Sequence, residues 1–379
     1  MHFLEADRIA CDKLLPGLRQ QLAELPLPEL EAEDSPAIEI FRAQGGTNLL
    51  VPAQAGGLDA SPLDAARVVR ALAATAPSMT VATMMHHFSL GTLFAVADLV
   101  GGGCDLEELL LRRVVDERLL VASGFAEGRT TQGILSPTMM AEPVEGGYLV
   151  NGAKKPCSLS RSMDLLTASV GVEQGDGTVG MGLLMLPADT PGISVHPFWS
   201  TPALGGAESD EVRLTDVLVA PEQIIAPDPE LADAMESLTT VGLIWFQLTV
   251  CAAYTGIASA LVERVLAGAR GSVSERARLA VRIESAAALT EGVARRMMDG
   301  ETDNDTLAAA LVTRYAVQDA IAASVDQAVE LLGGMAFVGS GDIAYLAAAS
   351  HAIAFHPPSR TSVAGALVDF YLGYRMVVA

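Results

Sequence analysis

The sequence predicts an α+β chain in three parts: an N-terminal helical domain (1–120), a middle barrel-like β-domain (121–226) and a C-terminal four-helix bundle (227–379). Three observations predict it. Val121–Ala226 is the only long stretch that reads as sheet, in short apolar runs separated by turn residues. Long apolar stretches at helical spacing flank it on both sides. One of them, Ser237–Val262, carries no charged residue and suits the central helix of a bundle.

In the N-terminal part, Leu4, Ile9, Leu14, Leu15, Leu18 and Leu22 recur at helical spacing, and the acidic run Glu31–Pro36 ends that element. Ala37–Gln44 gives a second helix, stopped by Gly45-Gly46. Leu49–Ser61 is a loop, since Pro52, Gly56 and Gly57 suit no regular element. Ser61 then caps a helix to Ala74, with Pro62 at its first position and Asp64 in its first turn. Pro77 breaks it. Val81–Val100 follows as an apolar helix, Gly101–Gly103 as a turn and Asp105–Leu120 as another helix.

Val121–Gly128 opens the β-domain. Tyr148, Leu149 and Val150 precede Asn151-Gly152, a strong hairpin-turn signal. Cys157–Val172 and Val179–Pro187 hold further apolar runs, and Val212, Leu214 and Val217 mark a later strand. Beyond Pro221, Glu230–Gly268 gives one or two helices and Ser274–Asp299 a long amphipathic one. Thr306–Leu332 ends at Gly333-Gly334 in the manner of a C-cap. Gly339–Phe355 adds a helix, Pro357-Pro358 interrupts, and Thr361–Tyr374 closes the bundle.

Half the residues are apolar and 18% are charged, so the chain folds around real cores. A net charge of −22 excludes a nucleic-acid backbone as partner and disfavours anionic membranes. Ser237–Val262 is long enough to span a bilayer, but its Thr239, Thr240, Gln247, Thr249, Tyr254, Thr255 and Ser259 argue for a buried helix. Cys11, Cys104, Cys157 and Cys251 share no metal-ligand or disulfide spacing. With no targeting pattern at the N-terminus, a cytoplasmic setting is expected. Adjacent His86 and His87 point about 100° apart on a helix, so a shared metal ion is excluded. Core packing, a single polar contact, or His87 lining a ligand pocket remain.

The order helical domain, β-domain, bundle resembles that of the acyl-CoA dehydrogenase-like flavoproteins, and the local sequence agrees. Leu49–Leu58, Gly146–Ser169, Ala203–Ile225 and Gln327–Gly339 are similar to family segments in the same order. The resemblance implies FAD between the β-domain and the bundle, and an acyl thioester of CoA or of an acyl carrier protein stacked on it. Hydride would pass from substrate to flavin, and an electron-transfer partner or oxygen would reoxidise it. Phe125, Ala126 and Glu127 would flank the ring. Ser158 would stand where a hydroxyl stabilises charge pushed onto the ring carbonyl. Arg270 would meet a diphosphate. Gly333 and Gly334 would reach a neighbouring subunit's flavin in a homotetramer.

Departures from the family matter as much. The position expected for a proton-abstracting glutamate holds Pro357, preceded by His356; the alternative position holds Phe246 or Gln247, expected to contact substrate. Pro156 replaces a tryptophan beside the flavin, and Arg270 lacks its usual Phe-Gly neighbours. His356, with an ordinary pKa near 6.5, is the candidate base; a plain loop histidine or a ligand hydrogen bond are the other possibilities. Lys154, Lys155 and Arg161 are either a phosphate-binding cluster or a solvated rim. Cys157 should pack inward if Ser158 faces the flavin. The alternative to dehydrogenation is a flavin-dependent monooxygenase hydroxylating carbon or nitrogen, or a flavin-free binding protein.

Overall fold

The computed structural model describes residues 1–100, 113–128, 135–175, 177–227 and 232–378. The first expected helix is two, α1 (Glu5–Leu14) and α2 (Leu18–Ala23), because Pro16-Gly17 breaks the chain and Gly17 takes φ 89°. Short α3 (Leu27–Leu30) and α4 (Ala37–Ala43) follow. Helix α5 (Pro62–Ala73) is capped as expected: Ser61 Oγ accepts the Asp64 N–H at 3.1 Å. Pro77 begins α6 (Pro77–Val100) rather than standing apart from it, since proline lacks only an N–H that a first turn leaves unpaired. The expected turn at 101–103 and most of the expected helix at 105–120 lie outside the described residues; 113–117 is helical.

Among the described residues, eight strands form one mixed sheet: β1 (Val121–Gly124), β2 (Met140–Val144), β3 (Gly147–Cys157), β4 (Leu165–Glu173), β5 (Val179–Pro187), β6 (Ile193–His196), β7 (Asp210–Val219) and β8 (Ile224–Ile225). The order is β6-β7-β3-β2-β4-β5-β8, with β1 added parallel to β4. The hairpin assigned to Asn151-Gly152 lies elsewhere. Val144 pairs with Gly147, so Glu145-Gly146 is the turn. Asn151-Gly152 sits inside β3 at a register shift against β7. Gly152 adopts φ 151°, a Cβ there would come within 2.7 Å of Met139 Cγ, and Asn151 Oδ1 accepts the Asp216 N–H at 2.8 Å. The pair serves a bulge, which has the same appetite for glycine as a turn.

The C-terminal helices are α7 (Ala232–Ala267), α8 (Val273–Met298), α9 (Asn304–Leu332), α10 (Gly334–Gly339), α11 (Gly341–His351) and α12 (Arg360–Tyr371). Helix α7 is the centre of the molecule: α5, α6, α8, α9 and α11 all pack on it. Its charge-free stretch is buried almost throughout, which is why it is apolar on every side. The N-terminal α5 and α6 thus complete the bundle, and α6 also packs on β1. This brings the sheet against the first half of α7.

Candidate active site

Where the ends of β1 and β3 meet α6 and α7, a cavity of about 140 Å³ opens. Helix α6 contributes Met85, Phe88, Ser89 and Thr92, spaced to share one face, and α7 contributes Leu238, Thr239, Gly242, Leu243 and Phe246 in the same way. On the sheet side stand Ser123, Phe125, Ala126 and Ser158, with Met181 and Leu183 two apart on β5. His356 and Pro357 close the end. None of the described residues lining this cavity is Asp, Glu, Lys or Arg.

A run of edge-to-face rings crosses the wall. Phe125 meets Phe88 at 6.5 Å between centroids, Phe88 meets Phe246 at 5.4 Å, and Phe246 meets His356 at 6.0 Å. The polar groups are few. Ser123 Oγ is buried with no partner among the described residues, and Ser158 Oγ lies 3.0 Å from Ser209 Oγ. An unmet buried hydroxyl beside a long apolar slot fits a flat heterocycle with a polar rim. Cys157, next to Ser158, points inward and is fully buried, and burial pushes its thiol up to about 12.

His356 Nε2 stands 2.7 Å from the Tyr254 hydroxyl. Behind them Arg314 is buried and donates to Ile353 O and, at 3.3 Å, to Gln318 Oε1. Burial, and then the Arg314 charge, hold the imidazole at a pKa of about 3. The expected titration near 6.5 is therefore corrected: an enclosed ring beside a cation stays neutral.

The cavity unites Phe125, Ala126, Ser158, Phe246 and His356. It excludes Glu127, whose carboxylate turns into a buried ion pair with Lys154 Nζ at 2.7 Å and accepts the Thr138 and Met139 N–H groups. Gln247 is buried off the cavity, its Nε2 3.4 Å from Pro357 O. His87 is buried between Phe41 and His86, both ring nitrogens without partners among the described residues, and it does not line the cavity. His86 is satisfied locally: Nε2 pairs with Thr47 O at 2.9 Å and Nδ1 accepts the Val121 N–H at 3.1 Å. Arg270 is exposed at the α7–α8 turn, and Gly333 and Gly334 lie at the α9–α10 junction, all apart from the cavity lining. The basic cluster is consumed internally, with Lys155 on Glu211 at 2.9 Å and Arg161 on Asp210 at 3.1 Å.

Sequence reasoning missed Ser123, Tyr254, Arg314 and the α6 face. The spacing of Met85, Phe88, Ser89 and Thr92 was a legible signal. The pairing of Tyr254 with His356 spans 102 residues and left none.

No protein-family model matches the chain. It is 51% identical over 373 residues to isobutylamine N-hydroxylase of Streptomyces viridifaciens, covering 98% of this chain and 99% of that protein. Among solved structures it resembles a nitrososynthase from Micromonospora carbonacea at TM-score 0.82 and 21% identity, covering 98% of each chain. It also resembles the dibenzothiophene monooxygenase of a Paenibacillus species solved with FMN and indole, at TM-score 0.82 and 18% identity, covering 100% of this chain and 99% of that one. These two likenesses speak to the fold, while the first reaches across almost the whole sequence. The chain therefore belongs to the family of isobutylamine N-hydroxylase, within the acyl-CoA dehydrogenase-like flavoenzymes.

Proposed function

We propose that this protein is a flavin-dependent N-hydroxylase of small apolar primary amines. The observation that carries the proposal is the cavity wall, apolar and without a carboxylate among its described residues. The 51% identity to isobutylamine N-hydroxylase supports the same choice. Dehydrogenation of an acyl thioester needs a base against the α-carbon. The imidazole available there, at a pKa of about 3, is a poor one at neutral pH.

Bound in the slot, a reduced flavin would supply an oxygen atom from O₂ to the amine nitrogen. Phe125, Ala126, Ser123 and Ser158 would hold the flavin ring from the sheet side. The chain's own contribution is to the amine. Apolar walls, with no carboxylate among their described residues, disfavour the ammonium form, so nitrogen is presented with its lone pair free. Phe88 and Phe246 exclude water around the alkyl group. His356, kept neutral and oriented by Tyr254, offers a hydrogen bond to the amine without trapping it as a cation.

The test supplies purified protein with FMN or FAD, a flavin reductase with its nicotinamide donor, isobutylamine and isotopically labelled O₂. The expected product is labelled N-hydroxyisobutylamine. Absence of it with both flavins, or anaerobic bleaching of bound flavin by an acyl thioester, would overturn the proposal.

A further inference from the structure

A second basin, of about 490 Å³, lies against the first. Leu135, Met181, Thr239 and Leu243 line both, so the two share a wall. The characters of the two spaces differ. Among the described residues lining the outer basin are one carboxylate, Glu236 in the first turns of α7, and one cation, Arg375 in the C-terminal tail. The two form an ion pair, and their side chains are 46% and 60% exposed. The tail is pinned beside them: Asn304 Nδ2 donates to Met376 O, and Met376 N donates to Asn304 Oδ1, both at 2.9 Å.

We propose that this basin is the vestibule through which the substrate reaches the cavity, and that Glu236 receives it there as an alkylammonium ion in exchange for Arg375. The inference rests on the N-hydroxylase reading and extends it. In water near neutral pH an alkylamine is almost wholly protonated, as a lysine side chain is. The described residues lining the inner cavity include no carboxylate to partner that charge. A cation must therefore be met outside and shed its proton before it passes Leu135, Met181, Thr239 and Leu243. Among the described residues lining the basin, Glu236 is the carboxylate that can meet it, and its side chain is open enough to be reached from solvent. Because the tail backbone is clamped by Asn304, only the Arg375 side chain has to swing away. Because the carboxylate favours the charged form, the amine gives up its proton to solvent as it leaves Glu236, and both side chains are open to that solvent.

Two variants and two readouts test the proposal. Glu236→Gln should raise KM for isobutylamine by about fivefold with little change in kcat, as expected for an exposed charge pair and lost electrostatic attraction. Arg375→Ala, which frees the carboxylate, should lower KM. Both shifts should shrink at an ionic strength on the order of 0.5 M. Calorimetric titration of the flavin-loaded protein with isobutylammonium chloride reads the site without turnover. Binding should weaken in Glu236→Gln, while binding of neutral isobutanol should not change. Equal affinity for the cation in wild type and Glu236→Gln, or no binding by wild type, would overturn the vestibule. Wild-type turnover with unchanged KM in Glu236→Gln would sink it alone. Cation binding through Glu236 without any hydroxylated amine would instead retire the N-hydroxylase reading.

Discussion

The Tyr254 hydroxyl sits 2.7 Å from His356 Nε2, and the two rings meet edge to face at 5.2 Å. A histidine held this way and kept at a pKa of about 3 is a fixed hydrogen-bonding post, not a titrating base. His356→Gln keeps a neutral hydrogen-bonding side chain. In the proposed N-hydroxylation it should therefore cost about tenfold or less in rate, against the ~10²–10⁴-fold typical of a lost general base. The wild-type pH profile should show no inflection near 6.5 that disappears in the variant. Single-turnover rates across pH 5 to 9 (roughly the span over which imidazole would titrate) check both.

Glu127 was expected beside the flavin, and the structure gives it another task. Its carboxylate ties the loop carrying Phe125 and Ala126 to Lys154 and to the backbone of residues 138 and 139. These contacts, set against its burial, bring its pKa down to about 2. Lys154→Met leaves that charge buried without its cation and should cost about 3–5 kcal/mol of stability. Adding Glu127→Gln to Lys154→Met should recover part of the loss. Urea midpoints of the single and double variants measure the coupling, and a strictly additive double would contradict it.

His86 and His87 are buried and neutral. Burial holds His86 at a pKa of about 4 and His87 well below its usual value. On unfolding each regains a pKa near 6.5 and takes up a proton, so the unfolded state binds more protons below that pH. Stability is complete above about pH 6.5 and falls as the pH drops toward 4, by up to about 1.4 kcal/mol per pH unit for each ring. His87 has no hydrogen-bond partner among the described residues. His87→Leu should then be neutral or stabilising at pH 7 and should flatten the acid slope, read from urea midpoints between about pH 4 and 7.

The architecture was legible because each layer has its own period. Apolar residues alternate or run short from Val121 to Ala226 and follow helical spacing elsewhere, and caps such as Ser61 mark where helices begin. Asn151-Gly152 misled because a bulge and a turn ask the same backbone freedom of glycine, and only pairing with β7 tells them apart. At the site, residues carried over by position near β1 and β3 reached the cavity. His87 and Gln247 did not, since one residue's difference on a helix turns a side chain by about 100°. The lowered pKa of His356 was not legible at all, because the burial that causes most of it, and the Arg314 charge that adds to it, both arise only when helices distant in sequence pack together.

Helix α10 buries none of its residues, and Met335 and Val338 are 86% and 83% exposed. We propose that this apolar turn is covered by another subunit in a homo-oligomer. Light scattering at micromolar concentration should give a mass above that of one chain. Met335→Glu with Val338→Glu should lower it, because two charges would then be buried in the contact. A monomeric wild type would contradict the assignment.

If the cavity takes the proposed amine, one of its walls sets the length of alkyl chain that fits. Phe246 forms one wall, buried and set edge-on between Phe88 and His356. Gly242, one turn earlier on α7, lines the same cavity without a side chain, and a Cβ placed there would press on the Thr92 side chain, 3.2 Å from its Cγ2, and displace it. Phe246→Leu should deepen the slot, and Gly242→Ala should narrow it. A methylene gained or lost against an apolar wall is worth about 1–3 kcal/mol of discrimination. The ratio of kcat/KM for hexylamine over isobutylamine should thus rise by about tenfold or more in Phe246→Leu and fall in Gly242→Ala. The two variants act on one wall in opposite senses, so general damage to the fold cannot imitate the pair. Movement of both ratios in the same direction would remove this wall as the ruler of amine length.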